Sequence, residues 1–292
     1  MRTVLRPLIA VAALVAFAVP SLASAASTST DASGWSIYHP STITSGAGYI
    51  WVASSNFVTE LSATTGALVR VISGSRYDFN GPSGMTSLGS RIWVTNQSGG
   101  VNKLGSVTEF SAATGALVRV INDHSFDFIG PFAITSDRTH VWVTGPNGNA
   151  VTEISASTGA LVRVIRGSNY GFGGIYDITS DGTHVWVLSF NCAITELSAT
   201  TGALVRVIKA PIKAPVWFYG CSTITTGAGR MWVTGGAFGN EVAELSLATG
   251  ALVKVIDGSK GRRKNNFPLS GSQSPGADGV VAVGLGVVMA DR

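Results

Sequence analysis

Four short aromatic segments recur along the chain, and two of them enclose a carboxylate. They read Tyr77-Asp78-Phe79, Phe126-Asp127-Phe128, Tyr170-Gly171-Phe172 and Trp217-Phe218-Tyr219. Aromatic rings and tyrosine hydroxyls at an open mouth suit a sugar ring, a peptide or a cation. The alternative is that the rings fill gaps between packed elements. The predicted binding residues are Tyr77, Phe128, Tyr170, Tyr176, Phe218 and Tyr219.

Candidate catalytic groups are few and isolated in the sequence. They are His39 and the carboxylates of Asp78, Asp127 and Asp177. Acid–base or metal-assisted chemistry requires such groups to converge within hydrogen-bond reach of one another. The sequence contains no nucleophile elbow, metal-spaced histidine pair or phosphate-binding loop. It therefore predicts no metal site and no cofactor, with Mg²⁺ or Ca²⁺ expected only if the chain is an enzyme.

An internal repeat in the sequence predicts the structural units that position these residues. The string Thr-Gly-Ala-Leu-Val returns about every 45 residues, beginning at Thr65, Thr114, Thr158, Thr201 and Thr249. Each copy follows an apolar run centred on a tryptophan, namely Trp51, Trp93, Trp142, Trp186 and Trp232. Five copies of one structural unit are therefore present.

The copy from Pro131 to Ile165 predicts four strands, over residues 132–135, 140–144, 151–155 and 161–165. The second strand alternates polar and apolar residues, and Thr158-Gly159 suits a tight hairpin. Four strands at this spacing predict an all-β propeller of four-stranded blades. We expect six blades, with a degenerate last blade built from about residues 267–292 and a strand near 27–37. Five blades with a loose tail, or a truncated larger ring, are the alternatives.

A glutamate of each third strand falls opposite a basic residue of the fourth. The predicted pairs are Glu60–Arg70, Glu109–Arg119, Glu153–Arg163, Glu196–Arg206 and Glu244–Lys254. We interpret them as structural ion pairs worth a fraction of a kcal/mol each; a charged ring that recruits a ligand is the alternative. His140 and His184, which open second strands, are interpreted as structural rather than metal-binding.

The chain has two cysteines, Cys192 and Cys221. Cys192 aligns with the loop residue Asn149 of the preceding repeat, and Cys221 aligns with Pro131 at the start of an inner strand. Both positions map to the same face of adjacent blades, which predicts a disulfide between them. Two buried free thiols are the alternative.

The N-terminus has the pattern of a secretory signal. Arg2 and Arg6 precede an apolar stretch that ends in a small-residue cleavage site at residues 23–25. We expect a signal peptide over 1–25, a single propeller domain over 26–292, and a secreted protein without a membrane span after signal removal. A retained membrane anchor is the alternative, but the apolar run of about a dozen residues is shorter than the roughly 20 that span a bilayer. The net charge of +4 includes those two arginines, so nucleic acid is not an expected partner.

One stretch carries a family resemblance: Ile-Thr-Ser-Asp-Gly-Thr-His-Val-Trp-Val at residues 178–187, followed by Ile-Thr-Glu-Leu and Thr-Gly-Ala-Leu-Val. It resembles secreted bacterial propellers of the YVTN/NHL-like type, over about residues 38–257. The resemblance implies the fold and no particular activity. The repeat is also distantly similar to virginiamycin B lyase-type propellers, which use histidine and glutamate with magnesium. Where those enzymes place glutamate, this chain has Ser54, Asn96, Gly145, Ser189 and Gly235.

Chain direction places the blade-to-blade linkers and the loops between second and third strands on one face of a propeller. These segments vary between repeats, and variable loops are where repeat proteins usually place specific contacts. The sequence therefore predicts a binding module for an extracellular glycan, peptide or protein. A metal-dependent lyase or lactonase acting at the same face is the alternative, and a mostly structural surface protein is a third.

Overall fold

A computed structural model describes residues 37, 39–209, 220–235 and 241–257. In this part of the chain, no helix is long or apolar enough to cross a membrane. The secondary structure of these described residues consists of twenty strands and four short 3₁₀ turns. The turns are Ser75–Tyr77, Val101–Lys103, His124–Phe126 and Ser168–Tyr170.

The strands form five antiparallel four-stranded sheets, which we call blades I to V. In each blade the strands pair in chain order, with the first strand innermost. Their bounds are β1 Pro40–Gly46, β2 Tyr49–Ser54, β3 Phe57–Ser62, β4 Leu68–Ser73, β5 Pro82–Leu88, β6 Arg91–Asn96, β7 Ser106–Ser111, β8 Leu117–Ile121, β9 Ile134–Ser136, β10 His140–Gly145, β11 Ala150–Ser155, β12 Leu161–Ile165, β13 Ile175–Ser180, β14 His184–Ser189, β15 Ile194–Ser198, β16 Leu204–Ile208, β17 Thr223–Gly227, β18 Arg230–Gly235, β19 Glu241–Ser246 and β20 Leu252–Asp257.

The predicted propeller of four-stranded blades is confirmed. The inner strands pack in sequence, β1 against β5, β5 against β9, β9 against β13 and β13 against β17. The structure describes five blades. Apart from Ile37, the residues assigned to a sixth blade, about 267–292 and a strand near 27–37, lie outside the described part of the chain, so that assignment stays a prediction.

The apolar core is divided into four clusters, each lying between two neighbouring blades. Trp51 of blade I packs edge-on against Phe110 of blade II, with ring centroids 5.5 Å apart. Trp93, Trp142 and Trp186 occupy the corresponding clusters, and all four tryptophans are essentially inaccessible to solvent. Since each sheet buries its apolar faces against the adjacent sheets, no blade has a complete core of its own.

The predicted glutamate–basic pairs are present in all five blades. Glu60 lies opposite Arg70 in the strand register, and their side chains are 2.5 Å apart at Oε2 and Nε. The other four pairs repeat this arrangement. All five glutamates, however, are buried. The predicted stabilisation of a fraction of a kcal/mol per pair applies to solvent-exposed ion pairs and not to buried ones. Burial raises the pKa of Glu60, Glu109 and Glu153 despite the paired arginines.

The paired arginines of blades I, II and IV also bond to the next blade. Arg70 Nη2 donates to the Ala113 carbonyl of blade II at 2.9 Å. Arg119 reaches the Thr158 carbonyl of blade III, and Arg206 donates to the Leu247 and Ala248 carbonyls of blade V. All of these carbonyls belong to Thr-Gly hairpins. One side chain thus neutralises a buried glutamate and ties two blades together.

Candidate functional site

The two faces of the propeller differ in how much their loops vary. The Thr-Gly hairpins between third and fourth strands share one backbone hydrogen bond, from the glycine N–H to a serine carbonyl, at 2.7 to 2.8 Å in all five blades. We call this side the hairpin face. The opposite side carries the linkers and the second-to-third-strand loops, and we call it the variable face. Its loops range from residues 55–56 in blade I to 97–105 in blade II.

The aromatic residues of the first two segments, 77–79 and 126–128, lie in the linkers before blades II and III and fill space between blades. Tyr77, Phe79, Phe126 and Phe128 are all less than 9% exposed. The Tyr77 ring stacks on Phe79, and its hydroxyl donates to the Gly115 carbonyl at 2.7 Å. Tyr77 and Phe128, which the sequence placed at a binding mouth, are therefore packing residues with little surface for a ligand. Their linkers run between adjacent sheets, where bulky filling is required.

The third aromatic segment, residues 170–172, lies in the equivalent linker before blade IV. Tyr170 and Phe172 are more exposed to solvent than the aromatic residues of the first two segments. Tyr170 and Phe172 stack with centroids 5.4 Å apart and pack on the cluster between blades III and IV. The Tyr170 carbonyl accepts a hydrogen bond from the Thr195 hydroxyl at 2.5 Å. Tyr170 thus belongs largely to the scaffold of the linker. Phe218 and Tyr219 lie outside the described residues.

Tyr176 belongs to a different group of rings, on the variable face at the starts of the inner strands. Phe132 meets Tyr176 at 5.5 Å and 60°, and Tyr176 meets Phe190 at 6.1 Å and 41°. Phe190, in the loop between β14 and β15, is 57% exposed. We call Phe132, Tyr176 and Phe190 the aromatic patch. Phe190 was not among the binding residues predicted from the sequence, although a phenylalanine between Ser189 and Asn191 in a polar loop was a usable signal.

Cys192 and Cys221 are joined by a disulfide beside this patch, with Cα atoms 5.2 Å apart. Cys192 lies in the loop that carries Phe190, and Cys221 lies just before β17. The bridge therefore connects the loop of blade IV to the inner edge of blade V. Both cysteines are buried in the cluster between these blades. The disulfide fixes one end of the loop that presents Phe190.

The candidate catalytic carboxylates each have a structural partner. Asp78 Oδ2 accepts a hydrogen bond from the Gly100 N–H at 2.5 Å, and Asp127 Oδ2 lies 3.0 Å from Arg166 Nη2. Asp177 accepts from two backbone N–H groups, those of Ile178 and Ile224, both at 2.8 Å. His39 is exposed and has positive φ. Within the described ranges, no group of three or more His, Cys, Asp or Glu residues is arranged to hold a metal ion.

Comparisons with known proteins bear on the fold alone. No protein-family model matches the chain, and no curated protein matches it in sequence. Among solved structures, 1437 chains match, so the architecture is a common one. One of them is described as the crystal structure of a mitotic checkpoint complex. It has a TM-score of 0.59 and 12% sequence identity, over 76% of this chain and 67% of the matched chain.

Proposed function

We propose that this chain is a secreted interaction propeller of the YVTN/NHL-like type, and that its variable face binds a partner protein through the aromatic patch. The observation that carries this function is the position of Phe190. A large apolar side chain is 57% exposed there, next to two partly buried rings. Rings held in place by a rigid scaffold contribute much of the binding energy at protein interfaces.

The geometry of the patch favours a polypeptide over a glycan as the ligand. Its neighbouring rings are inclined at 60° and 41° to one another, so they form no shared flat platform on which a sugar could stack. Two of the three rings are phenylalanines, which offer no hydrogen bonds to sugar hydroxyls. An apolar surface with several ring orientations fits aliphatic or aromatic side chains of a partner.

Two further features support a secreted location. The first 25 residues have the charge and hydropathy pattern of an export signal. The Cys192–Cys221 bridge requires an oxidising environment, of the kind found outside the cytoplasm.

The binding function can be tested with displayed linear peptides and with a glycan array, each applied to residues 26–292. We expect peptides to be selected, and Phe190→Ala to weaken their binding at least tenfold, as truncation of an interface aromatic typically does. Val205→Ala is the matched control, because Val205 lies in the same blade and is 50% exposed but faces outward on β16. It should leave the affinity unchanged.

Unfolding curves of both variants should overlay that of the parent protein, since neither side chain is buried. Selection of glycans alone would contradict the choice of a protein partner. Peptides that bind the Phe190→Ala and Val205→Ala variants equally well would contradict the assignment of the aromatic patch.

A further inference from the structure

In addition to the aromatic patch, the variable face has a cleft of about 490 Å³ between blades II and III. The blade II wall is the loop 97–105, which is longer than the corresponding loops 55–56, 146–149 and 190–193. The other wall consists of Ile129 and Gly130 from the linker and of Pro146 and Asn147 from the blade III loop. The extra residues of blade II thus build one side of the cleft.

Backbone hydrogen bonds hold this loop in place on both sides. The Gly100 N–H donates to Asp78 at 2.5 Å, which ties the loop to its own linker. The Gly130 N–H donates to the Leu104 carbonyl at 2.8 Å, which ties the loop to the linker that leads into blade III. A site whose walls are already connected loses little conformational entropy on binding.

The lining combines side-chain amides with aliphatic surface. Gln97 stands on the blade II wall and Asn147 on the blade III wall, each with a donor and an acceptor. Leu104 and Ile129 add aliphatic surface to the lining and are 39% and 37% exposed. Amides can bond both the N–H and the C=O of an extended main chain, and aliphatic groups can receive its side chains. The lining residues include no aromatic ring on which a sugar would stack.

The cleft also has a defined charge, because Lys103 is the one formally charged residue among its lining residues. Lys103 is exposed, and it lies in the same loop as the Gly100 N–H that engages Asp78. The neighbouring carboxylates have their own partners: Asp127 lies beside Arg166, and Asp123 accepts from the Ser125 N–H. A ligand carboxylate would therefore meet a cation without a competing anion in the lining.

We propose that this cleft binds an extended peptide segment of a partner protein, with its main chain bonded by Gln97 and Asn147 and a carboxylate paired with Lys103. The carboxylate is either the C-terminus of the segment or an acidic side chain within it. This site shares no residue with the aromatic patch, so different variants test the two proposals.

The test uses residues 26–292 labelled with ¹⁵N and three matched libraries of short peptides. One library has a free C-terminus, a second is amidated and carries an internal glutamate, and a third is amidated with glutamine instead. We expect one of the carboxylate libraries to shift the side-chain amide signals of Gln97 and Asn147, with affinity about fivefold above the neutral library. Added salt should weaken that library alone.

Variants assign the contacts and separate them from folding. Lys103→Asn removes the charge and suits the positive φ of this position; it should abolish the preference for carboxylates. Lys103→Arg should keep the preference, and Lys209→Gln, which changes an exposed lysine just after β16, is the control. Phe190→Ala should bind as the parent does. The proposal is overturned if millimolar peptide leaves both amide signals unmoved, or if Lys103→Asn retains the preference.

Discussion

Asp177 is the clearest case of a residue whose role the sequence could not show. In the primary structure it is an isolated carboxylate before an Ile-Thr-Ser run, which made it a weak catalytic candidate. In the structure it sits at a bulge in β13, and its Oδ2 accepts the Ile224 N–H of the next blade at 2.8 Å. It therefore joins blades IV and V. Such a contact depends on a neighbour 47 positions away, which local patterns do not reveal.

The titration of Asp177 yields a test of this role. Burial raises its pKa from 3.8 to about 7, although the two backbone N–H groups act in the opposite direction. The folded protein therefore retains a proton that the unfolded chain releases. The free energy of unfolding should fall as pH rises from about 4 to 7, by up to about 1.4 kcal/mol per pH unit from this group. Urea unfolding at a series of pH values measures the slope.

Asp177→Asn should remove that slope, because asparagine does not titrate. The variant should be less stable than the parent at low pH, and the gap should narrow toward neutrality. Asp181→Asn, in the same blade, is the control with the opposite sign. Although burial raises the pKa of Asp181, hydrogen bonds from Thr183 and His184 outweigh it and lower the pKa. The gap for that variant should narrow as pH falls below 4. Parallel curves for parent and Asp177→Asn would refute the assignment.

At the scale of the element, the repeated hairpin serves two blades at once. Gly159 has φ of 73°, and a Cβ there would lie 2.3 Å from Arg119 Nη1 of the preceding blade. At Gly202 the nearest atom to such a Cβ would be Arg163 Cδ, at 2.7 Å. The left-handed backbone favours glycine at both positions, and the missing side chain also leaves room for the arginine to approach the hairpin. The Thr-Gly-Ala-Leu repeat reflects contacts between blades as well as the turn itself.

The buried pairs predict a difference between blades I and II. Glu60 has Arg70 as its ion-pair partner, whereas Glu109 has Arg119 at 2.7 Å and Arg91 at 3.4 Å. Arg70→Met should therefore cost about 3 kcal/mol of unfolding free energy at pH 7, since it leaves a buried carboxylate unpaired. Arg119→Met should cost about 1 kcal/mol, because Arg91 remains. Urea denaturation of the two variants gives the comparison.

The pH dependence of the stability lost in Arg70→Met shows whether the unpaired Glu60 carboxylate causes that loss. Without Arg70, the pKa of Glu60 should rise further above its ordinary value of 4.5. The penalty should then shrink as pH falls toward that value and the carboxylate takes up a proton. The double variant Glu60→Gln with Arg70→Met should recover part of the stability at neutral pH. Equal losses for Arg70→Met and Arg119→Met would show that the buried charge is not the source.

The strands themselves were predictable, because their signals are local and repeated. Alternating residues around Trp142 and the Thr158-Gly159 hairpin place β10 to β12 within a residue or so of their observed bounds. The aromatic segments were harder to interpret. Tyr77 and Tyr176 are the same residue type near inner strands, yet Tyr77 is buried between sheets and Tyr176 lies in a partly exposed patch. Only the packing of adjacent blades distinguishes them.

At the scale of the whole molecule, the described blades pack against one another in the same way, except that blade V differs from the others. Trp51, Trp93, Trp142 and Trp186 each enter a core cluster shared with the following blade. Trp232 of blade V is only partly buried, and Lys254 takes the place of the arginine. The hairpin face, whose loops are nearly the same in every described blade, belongs to the scaffold. Both proposed binding sites lie on the variable face, whose loops differ between blades.

The disulfide allows the connection between blades to be tested directly. It closes a separation of 29 residues, for which the loss of chain entropy in the unfolded state predicts about 3 to 4 kcal/mol of stabilisation. We expect Cys192→Ser with Cys221→Ser to lose about this much, and a reducing agent to destabilise the parent but not the variant. Since the bridge anchors the loop of Phe190, peptide binding at the aromatic patch should weaken as well. Binding at the cleft between blades II and III should persist. Alkylation of both thiols without reductant, or identical unfolding with and without it, would show that the disulfide does not contribute to holding the two blades together.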